Sequence, residues 1–542
     1  MKKFGTLFTT LMSLLVLGSH LNAQSNAPIS SSPLFANDIT VEANNMANQR
    51  HVRIASAFNG WLFAAYIVND SVSGKGGVVV RYSKNGGINW MPFNGYSYAQ
   101  HSVYKSCDIT VAGLDSAHLC VFLADVRMNS VTKRYEVKVS RYSAEHNITS
   151  ATSVFFQQLD TNQVYDVALA TDYKFAALKD SIYSVGVLYS HKGLVQDSLI
   201  FADTRKYGHP FGKKHLIATG PFYRNVTLGY AHSQSAFKGA YIAVWEQLPS
   251  ANSTLGHLYQ ARTAAMIDSV WTKPLCLDSL SPLTNGKVRN PSIACQNSNL
   301  DNDSSNMTLA VAFDCARNGQ MDSLDVMGYF NKTADSTNFW TMFTLAATTN
   351  NELQPSLSFD AGTGNFVATY YDSTAGSLPY LMQTFTLPTP NAWTVIKSAY
   401  NDNHTVLKAP YPRALVNPQS GKGFFAWTID PAGTQNGVVL VDGENIFTAV
   451  PEIDESGLKA YNMYPNPSSS SVVLPLSTDK EMNVKMTVYT VLGSLAMPAE
   501  TIHLGGGLQN LSMDVEGLSS GVYFCRIESG SVSHTFRFVV QH

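Results

Sequence analysis

Short apolar runs of strand length alternate with Gly, Asn, Asp and Ser from residue 51 to about residue 450. This span lacks the 3.6-residue periodicity of amphipathic helices. The runs come in groups of four, and the second run of each group is easily recognised. The seven second runs are "LFAAYIVND", "LCVFLADVR", "YSVGVLYSH", "YIAVWEQ", "LAVAFDCAR", "FVATYYDS" and "GFFAWTID". The pattern predicts an all-β chain built from a repeated four-stranded unit.

The third runs of these groups fix the length of the repeat. They end near residues 83, 143, 203, 264, 333, 386 and 441, so the repeat is 53 to 69 residues long. A four-stranded unit of this size cannot bury both faces alone, and its copies must pack radially. We predict a seven-bladed β-propeller over residues 51–450, with six blades as the alternative. The segment 24–50 contains "DITVEA", which is expected to add a strand to the last blade and close the ring.

After residue 450 the pattern changes. The polar stretch "PEIDESGLKA" (451–460) is predicted to be a linker, and residues 461–542 contain five further strand candidates. Their lengths and spacing predict a small β-sandwich.

The first 23 residues have the form of a secretory signal peptide. Lys2 and Lys3 precede an apolar run that is shorter than a bilayer span and ends at "LNA". No later segment is long and apolar enough to predict a membrane span. Only 14% of residues are charged and the net charge is -2, which argues against a nucleic-acid partner.

Six cysteines are too few to hold 500 residues together by disulfides, so the hydrophobic core must do so. Cys107 and Cys120 flank a predicted hairpin turn, and we expect that they could form a disulfide.

The C-terminal segment carries a recognisable set of motifs, namely "YNMYPNPSSSSVVLPL", "VYTVLGSLAM" and "LSSGVYFCRIESGSVSHTFRFVVQH". It resembles the C-terminal sorting domain of the type IX secretion system of Bacteroidota. The residues that carry the resemblance are Tyr464, Pro465, Asn466, Pro467, Gly493, Gly521 and Tyr523. The resemblance implies that residues 461–542 bind the type IX secretion machinery, and that the protein is extracellular or attached to the outer-membrane surface.

The corner after the third run of the first repeat reads "SKNGGINW". Ser83, Asn85, Gly87 and Trp90 resemble the Asp-box of sialidase-like propellers, with Asn85 in place of Asp. A degenerate copy begins at Thr333 and a fainter one at Ser143. In such a box the Ser and Asp-type oxygens accept turn N–H groups and the Trp packs between sheets. The box therefore predicts a blade-folding turn, remote from the ligand face.

Acidic residues end most of the second runs, where equivalent strand ends gather on one face of a propeller. The residues at these ends are Asp70, Asp125, His191, Glu246, Asp314, Asp372 and Asp430. They allow two readings: a site for a sugar or a weakly held calcium ion, or carboxylates that cap turns. We assign no metal ligands and predict no cofactor.

Sialidase chemistry would need an arginine cluster, a Tyr nucleophile helped by Glu, and an Asp acid. Residues of each type are present, although none lies within a diagnostic motif. The candidates are Arg53, Asp70, Arg224, Glu246, Arg289, Tyr370 and Tyr371.

Asp-Ser followed by Ala, Ile, Leu, Val or Thr recurs through the chain and resembles the O-glycosylation signal of exported Bacteroidota proteins. The alternative is that Asp-Ser is simply a favourable turn dipeptide. The serines concerned are Ser71, Ser116, Ser181, Ser198, Ser269, Ser279, Ser323, Ser336 and Ser373.

Together these features predict a secreted or surface-attached propeller that binds a glycan or a surface protein. A sialidase-like glycoside hydrolase and a structural surface-layer component are the alternatives.

Overall fold

The computed structural model describes residues 39–42, 48–57, 60–70, 73–93, 102–112, 119–143, 152–171, 184–204, 210–231, 239–263, 270–296, 308–317, 323–331, 340–347, 349–360, 365–373, 380–386, 393–394, 411–417, 423–429, 437–444, 458–460, 463, 468–478, 481–491, 493–505, 507–529 and 532–542. The predicted signal peptide, Asp430, the degenerate box at Thr333 and the motif at 464–467 lie outside these residues.

The described strands of the N-terminal part form seven four-stranded antiparallel sheets, which confirms the seven-bladed prediction. Blades 1 to 3 follow chain order from the inner to the outer strand. Blade 1 consists of β2 (Asn48–Ser56), β3 (Leu62–Asn69), β4 (Gly76–Ser83) and β5 (Met91–Pro92). Blade 2 consists of β6 (Tyr104–Ala112), β7 (Cys120–Met128), β8 (Tyr135–Ser143) and β9 (Thr152–Asp160). Blade 3 consists of β10 (Val164–Thr171), β11 (Val185–Lys192), β12 (Asp197–Thr204) and β13 (His215–Gly220).

Blades 4 to 7 repeat this arrangement, except that the last blade takes its outer strand from the N-terminal segment. They consist of β14 (Tyr223–Ala231), β15 (Ala240–Gln247), β16 (His257–Arg262) and β17 (Leu275–Cys276); β18 (Val288–Cys295), β19 (Leu309–Ala316), β20 (Leu324–Asn331) and β21 (Trp340–Ala346); β22 (Asn351–Asp360), β23 (Asn365–Ser373), β24 (Tyr380–Thr386) and β25 (Trp393–Thr394); β26 (Arg413–Val416), β27 (Gly423–Ile429), β28 (Val438–Glu444) and β1 (Ile39–Thr40).

The first strands of the blades form a closed inner ring. Each packs against the first strand of the next blade, and β26 of blade 7 packs against β2 of blade 1. The inner strands therefore surround a central axis, as in a propeller.

The second strands are buried on both faces because each is enclosed by neighbouring blades. Every residue of β3 (Leu62–Asn69) and β27 (Gly423–Ile429) is buried. Among the described residues there is one apolar cluster for each of the seven blade junctions. The cluster between blades 7 and 1 joins Phe424 and Val439 to Val52 and Leu62, so the ring is closed by packing as well as by hydrogen bonds.

Strand β1 pairs with β28 through Ile39↔Val441 and Thr40↔Leu440, which is the pairing expected from "DITVEA". The Glu42 carboxylate then accepts hydrogen bonds from Tyr66 Oη at 2.6 Å and from the Arg81 guanidinium of blade 1. The Gln49 side chain accepts the Val439 N–H at 2.9 Å, which ties blade 1 to blade 7.

The proposed Cys107–Cys120 disulfide is wrong. Cys107 is opposite Asp125 and Cys120 is opposite Ala112, so the two lie five register positions apart. Cys107 packs into the junction of blades 1 and 2, whereas Cys120 faces the junction of blades 2 and 3. Two side chains on opposite faces of one sheet cannot approach to disulfide distance. All six cysteines are free thiols.

The corner at Ser83 has the geometry expected of an Asp-box. The Ser83 hydroxyl accepts the Gly87 N–H at 2.9 Å, and Asn85 Oδ1 accepts the Asn89 N–H at 3.0 Å. Gly87 has a φ of 86°, and Trp90 packs against the junction of blades 7 and 1. Ser83 is opposite Leu62, at the far end of the blade from Arg50. The box is therefore a folding device.

Replacing Ser83 with alanine should lower the free energy of unfolding by about 1–3 kcal/mol, because the buried Gly87 N–H would lose its acceptor. Thermal or urea unfolding of the two proteins would measure this loss. Asn85→Asp keeps an acceptor for Asn89 and serves as the control, with a change of less than about 1 kcal/mol. Equal stability of Ser83→Ala and the parent chain would contradict the assignment.

The C-terminal segment forms two further sheets that pack as a sandwich. Its strands are β29 (Leu458–Ala460), β30 (Ser471–Thr478), β31 (Met482–Thr490), β32 (Leu495–Leu504), β33 (Gly507–Asp514), β34 (Gly521–Ser529) and β35 (Val532–Val540). The sheet orders are β29-β30-β33 and β32-β31-β34-β35, with one apolar cluster between them. Gly493 has a φ of 79° in the turn after β31, and Tyr523 Oη donates to the Ser519 carbonyl at 2.8 Å.

In the described part of the chain no helix has the length and hydropathy required to cross a membrane.

Candidate ligand site at the mouth of the central channel

The first strands of blades 1 to 6 carry a bulge near the same end. In most blades a non-glycine residue at this level has a left-handed backbone. These residues are His51 (φ 59°), Asn225 (46°), Asn290 (52°), Gln354 (57°) and, just before β26, Tyr411 (44°). Each such conformation costs on the order of 1 kcal/mol or more, and such strain concentrates at functional sites. We call this ring of bulges the channel mouth.

The bulged residues bind one another from blade to blade. Asn225 Nδ2 donates to Asn290 Oδ1 at 3.3 Å, and Gln354 Oε1 accepts the Tyr411 N–H at 3.0 Å. His51 Nε2 lies 3.3 Å from Ser106 Oγ. These contacts link blades 4 and 5, blades 6 and 7, and blades 1 and 2 at the mouth.

Arginines are concentrated on one side of this ring. Burial, followed by the charges of Arg53, Arg413 and Arg50, holds the pKa of His51 well below its usual value. Burial and the neighbouring Arg53 also lower the pKa of Arg413 to about 9. We call these three residues the arginine cluster. Its guanidinium groups repel one another in a partly desolvated place.

The arginine cluster has few acceptors of its own. Arg50 donates to the Tyr104 carbonyl at 2.8 Å and to the Asn69 amide oxygen, both of which are neutral. Arg413 donates to the Pro412 carbonyl at 3.5 Å, and its buried Nε has no hydrogen-bond partner among the described residues. Within the described chain, the one ion pair of the cluster is Arg53 Nε to Asp108 Oδ1 at 3.7 Å.

The two nearest carboxylates already accept backbone N–H groups, one from their own strand and one from the next blade. Asp108 accepts the Ile109 N–H at 3.0 Å and the Leu169 N–H at 2.7 Å. Asp166 accepts the Val167 N–H at 2.9 Å and the Val226 N–H at 3.2 Å. These carboxylates therefore hold neighbouring blades together. The three guanidinium groups of the arginine cluster face two carboxylates whose oxygens already accept hydrogen bonds.

The opposite side of the mouth contains two buried carboxylates. Burial raises the pKa of Glu246 to about 7 and that of Asp314 to about 6. Glu246 accepts a hydrogen bond from the Asn225 amide, and Asp314 accepts from Arg289 Nε at 3.0 Å and Asn290 Nδ2 at 2.8 Å.

An aromatic platform lies between these two regions. Tyr165 is the bulged residue of blade 3, and the Arg224 guanidinium carbon lies 3.6 Å from the centroid of its ring. Arg224 Nη1 also donates to Asp197 Oδ2 at 2.9 Å. This stacked pair offers a flat surface of the kind that sugars contact.

The structure separates the predicted catalytic residues into three groups. Arg53, Arg224, Glu246 and Arg289 lie at the channel mouth. Asp70 is exposed, and its carboxylate accepts the Ser73 N–H at 2.6 Å, as a turn cap does. Tyr370 and Tyr371 pack into the apolar junctions on either side of blade 6, so they are wrong as nucleophile candidates.

As far as the structure describes them, the residues at the second-strand ends do not form one open ring of carboxylates. Asp125 is buried and paired with Arg127 at 2.5 Å, and His191 Nδ1 lies 2.9 Å from Asp160 Oδ2. Asp372 is buried and lies 3.5 Å from Asn350 Nδ2. The side chains of Asp125, His191 and Asp372 therefore already contact polar partners.

Four of the serines in the Asp-Ser pattern lie in the described chain. Ser279 is exposed, and Ser198, Ser323 and Ser373 are partly buried. The other five, Ser71, Ser116, Ser181, Ser269 and Ser336, lie outside the described residues. Glycosylation of these serines stays a prediction.

Sequence reasoning missed His51, Tyr165, Tyr411 and Arg413. For His51 and Tyr411 the signal is a polar residue after an arginine or before a proline at the start of a first strand, whereas Tyr165 carries no such signal. The signal is visible in "RHVR", "RNV", "RNP", "LQP" and "YPR".

A comparison with known protein families identifies the C-terminal segment. Residues 462–541 match the family described as "Secretion system C-terminal sorting domain". The chain is therefore a secreted protein with a type IX sorting domain, directed to the cell surface or the extracellular space. No curated protein sequence matches the chain.

Among solved structures, the chain is similar to a Penicillium chrysogenum alpha-L-arabinanase complexed with arabinobiose, with 10% identity, 76% of this chain and 98% of that chain covered, and a TM-score of 0.39. It is similar to the polysaccharide lyase Uly1, with 8% identity, coverage of 79% and 95%, and a TM-score of 0.44. It is also similar to a Hadza microbial sialidase, with 11% identity, coverage of 62% and 66%, and a TM-score of 0.38. Likenesses this distant say nothing of substrate.

Proposed function

We propose that this secreted propeller is a binding module that takes an acidic glycan at its channel mouth, with the arginine cluster as the anchor for the ligand's carboxylate. The observation that carries the proposal is the excess of cations there. Three guanidinium groups share two carboxylates that are already engaged by backbone N–H groups. A bound carboxylate would supply the missing charge and accept charge-assisted hydrogen bonds.

The ring of polar bulges favours a sugar, rather than a simple anion, as the ligand of the channel mouth. Amide and imidazole groups of Asn290, Gln354 and His51 are arranged around the mouth and can exchange hydrogen bonds with hydroxyls. Tyr165, stacked under Arg224, adds an aromatic surface. A few polar groups around an aromatic surface are typical of ligand sites.

The proposal is tested by titrating the protein with oligosaccharides that contain uronic or sialic acid, and with neutral oligosaccharides of the same length. We expect binding of the acidic sugars only, weakening as salt rises. Arg53→Ala should weaken binding by roughly 10-fold to 100-fold, the range for a lost hydrogen bond to a charged group. Arg526→Ala in the sorting domain is the matched control, because Arg526 is paired with Glu528 at 2.9 Å far along the chain. Equal binding of neutral sugars would overturn the proposal.

A glycoside hydrolase is the second candidate, and the raised pKa of Glu246 favours it. A carboxyl group with a pKa of about 7 is suited to general acid catalysis at neutral pH. Against this, Glu246 is only 2% exposed and holds Asn225 in place. Release of product from acidic fluorogenic glycosides by the parent chain, and its loss in Glu246→Gln, would establish the enzyme.

A further inference from the structure

A cysteine, a histidine and an aspartate converge at the outer edge of blade 4, away from the ring of bulges. His257 begins the third strand of that blade, Cys276 ends the fourth, and Asp278 begins the short 3₁₀ turn Asp278–Leu280. One ligand atom from each side chain lies within 4.8 Å of the others. We call this the blade 4 trio.

The distances within the trio are close to those between ligands of one metal ion. His257 Nδ1 lies 2.9 Å from Asp278 Oδ2 and 3.8 Å from Cys276 Sγ. Cys276 Sγ lies 3.1 Å from Asp278 Oδ1. Zinc takes sulfur at about 2.3 Å and nitrogen or oxygen at about 2.0–2.2 Å in a tetrahedron, which sets ligand atoms roughly 3.3–3.6 Å apart, so shifts of roughly 0.5 Å would let the three side chains share one ion.

The carboxylate is held in place by backbone groups as well as by the other two ligands. Asp278 Oδ1 accepts the Leu258 N–H at 2.8 Å, and Oδ2 accepts the Gly286 N–H at 2.7 Å. The Asp278 carbonyl also accepts the Thr284 hydroxyl at 2.7 Å. Asp278 is fully buried, so this ligand would be fixed before any ion arrives.

A metal ion could reach the trio from solvent, and it would keep one coordination position for a further ligand. The His257 side chain is 39% exposed and Cys276 is partly buried, while the other five cysteines are buried. Three protein ligands with one side open to solvent leave the fourth tetrahedral position for water.

We propose that His257, Cys276 and Asp278 form a site for a thiophilic divalent transition metal, of which Zn²⁺ is the best match. On binding, the Cys276 S–H bond breaks and its proton goes to solvent, and the thiolate forms a bond to the metal. His257 binds through Nδ1, which donates its lone pair to the metal while Nε2 carries the imidazole proton. One proton is released and no electron is transferred.

A histidine–aspartate pair elsewhere in the propeller serves as a natural control. His191 Nδ1 lies 2.9 Å from Asp160 Oδ2, the same separation as in the trio, but no cysteine belongs to that group among the described residues. His191→Gln should therefore leave metal binding unchanged.

The test uses the full chain, reduced and purified without a histidine tag, titrated with Zn²⁺ and separately with Co²⁺. We expect one ion per chain and, with Co²⁺, a thiolate-to-metal charge-transfer band in the near ultraviolet. Cys276→Ser and His257→Gln should each weaken Zn²⁺ binding by at least about 100-fold and abolish the band, because lost outer-shell groups alone cost 10–100-fold.

Thermal unfolding distinguishes a lost ligand from a lost fold. Zn²⁺ should raise the melting temperature of the parent chain and of His191→Gln, but not that of Cys276→Ser, whose metal-free melting temperature should stay close to the parent value. A parent chain that binds no Zn²⁺, or a Cys276→Ser variant that binds it equally well, overturns the proposal.

Discussion

Replacing Arg413 with methionine should abolish binding of an acidic glycan and at the same time leave the protein equally stable or more stable. Binding should fall by at least about 30-fold, because removing one partner of a buried charged contact costs about 2–5 kcal/mol. Stability should stay level or rise by up to about 4 kcal/mol, since methionine fills similar space without a desolvated charge. The buried Arg413 Nε has no hydrogen-bond partner among the described residues.

Isothermal titration with the acidic oligosaccharide measures the first effect, and urea unfolding measures the second. Arg289→Met is the matched control, because Arg289 is satisfied by the buried Asp314 at 3.0 Å. That variant should destabilise the fold by a few kcal/mol, as expected when one member of a buried pair is removed. If Arg413→Met destabilised the propeller as strongly, Arg413 would be a structural residue and the proposed anchor would be wrong.

Stability should decrease as pH rises from about 4.5 to about 7, and Glu246 should cause much of that decrease. Burial raises the pKa of Glu246 from 4.5 to about 7, against the hydrogen bonds from Asn225 and the Asn290 N–H. Between these values the folded chain keeps a proton that the unfolded chain has lost, so raising the pH favours unfolding. The rise in pKa corresponds to roughly 3 kcal/mol.

Glu246→Gln keeps the acceptor oxygen and removes the titration. We expect this variant to match the parent at pH 4 and to exceed it by up to about 3 kcal/mol at pH 8. Urea unfolding at several pH values measures the difference between the two chains. A difference that does not change between pH 4 and pH 8 would contradict the buried, protonated state.

The Asp160→Asn variant provides a control, because the pKa of Asp160 is lowered on folding and its effect on the pH dependence of stability has the opposite sign. Burial acts to raise the pKa of Asp160, but hydrogen bonds from His191 and the Asn162 N–H outweigh it and hold the pKa at about 2. That stabilisation is present above pH 3.8 and is lost as the pH falls through 2. The variant should therefore be less stable than the parent at neutral pH.

The repeat, the number of blades and the tail could be predicted because they depend on the periodicity of apolar residues. The second strands, such as β27 with its run of buried residues, have a strong signal since both faces are covered. The sorting domain was recognisable because its motifs occur in a fixed order.

The candidate site was only partly predictable, because it depends on bulges and on charge balance. Arg53 and Glu246 were found from their residue types, but Arg413 was not, since its significance lies in how few acceptors surround it. Tyr370 and Tyr371 failed because alternate residues of β23 face opposite junctions. The blade 4 trio was invisible because the pairing of β16 with β17, and not a motif in the sequence, brings residues 257 and 276 together.

The closing strand β1 also determines when the propeller can finish folding. Its partner β28 lies about 400 residues later, and Gln49 bonds to Val439 across the same gap. Contacts of such long sequence separation form late, and until then the edge of β28 is open to pairing with another molecule. An exported chain that lost the residues before Asn48 would therefore expose a sheet edge and tend to associate with copies of itself.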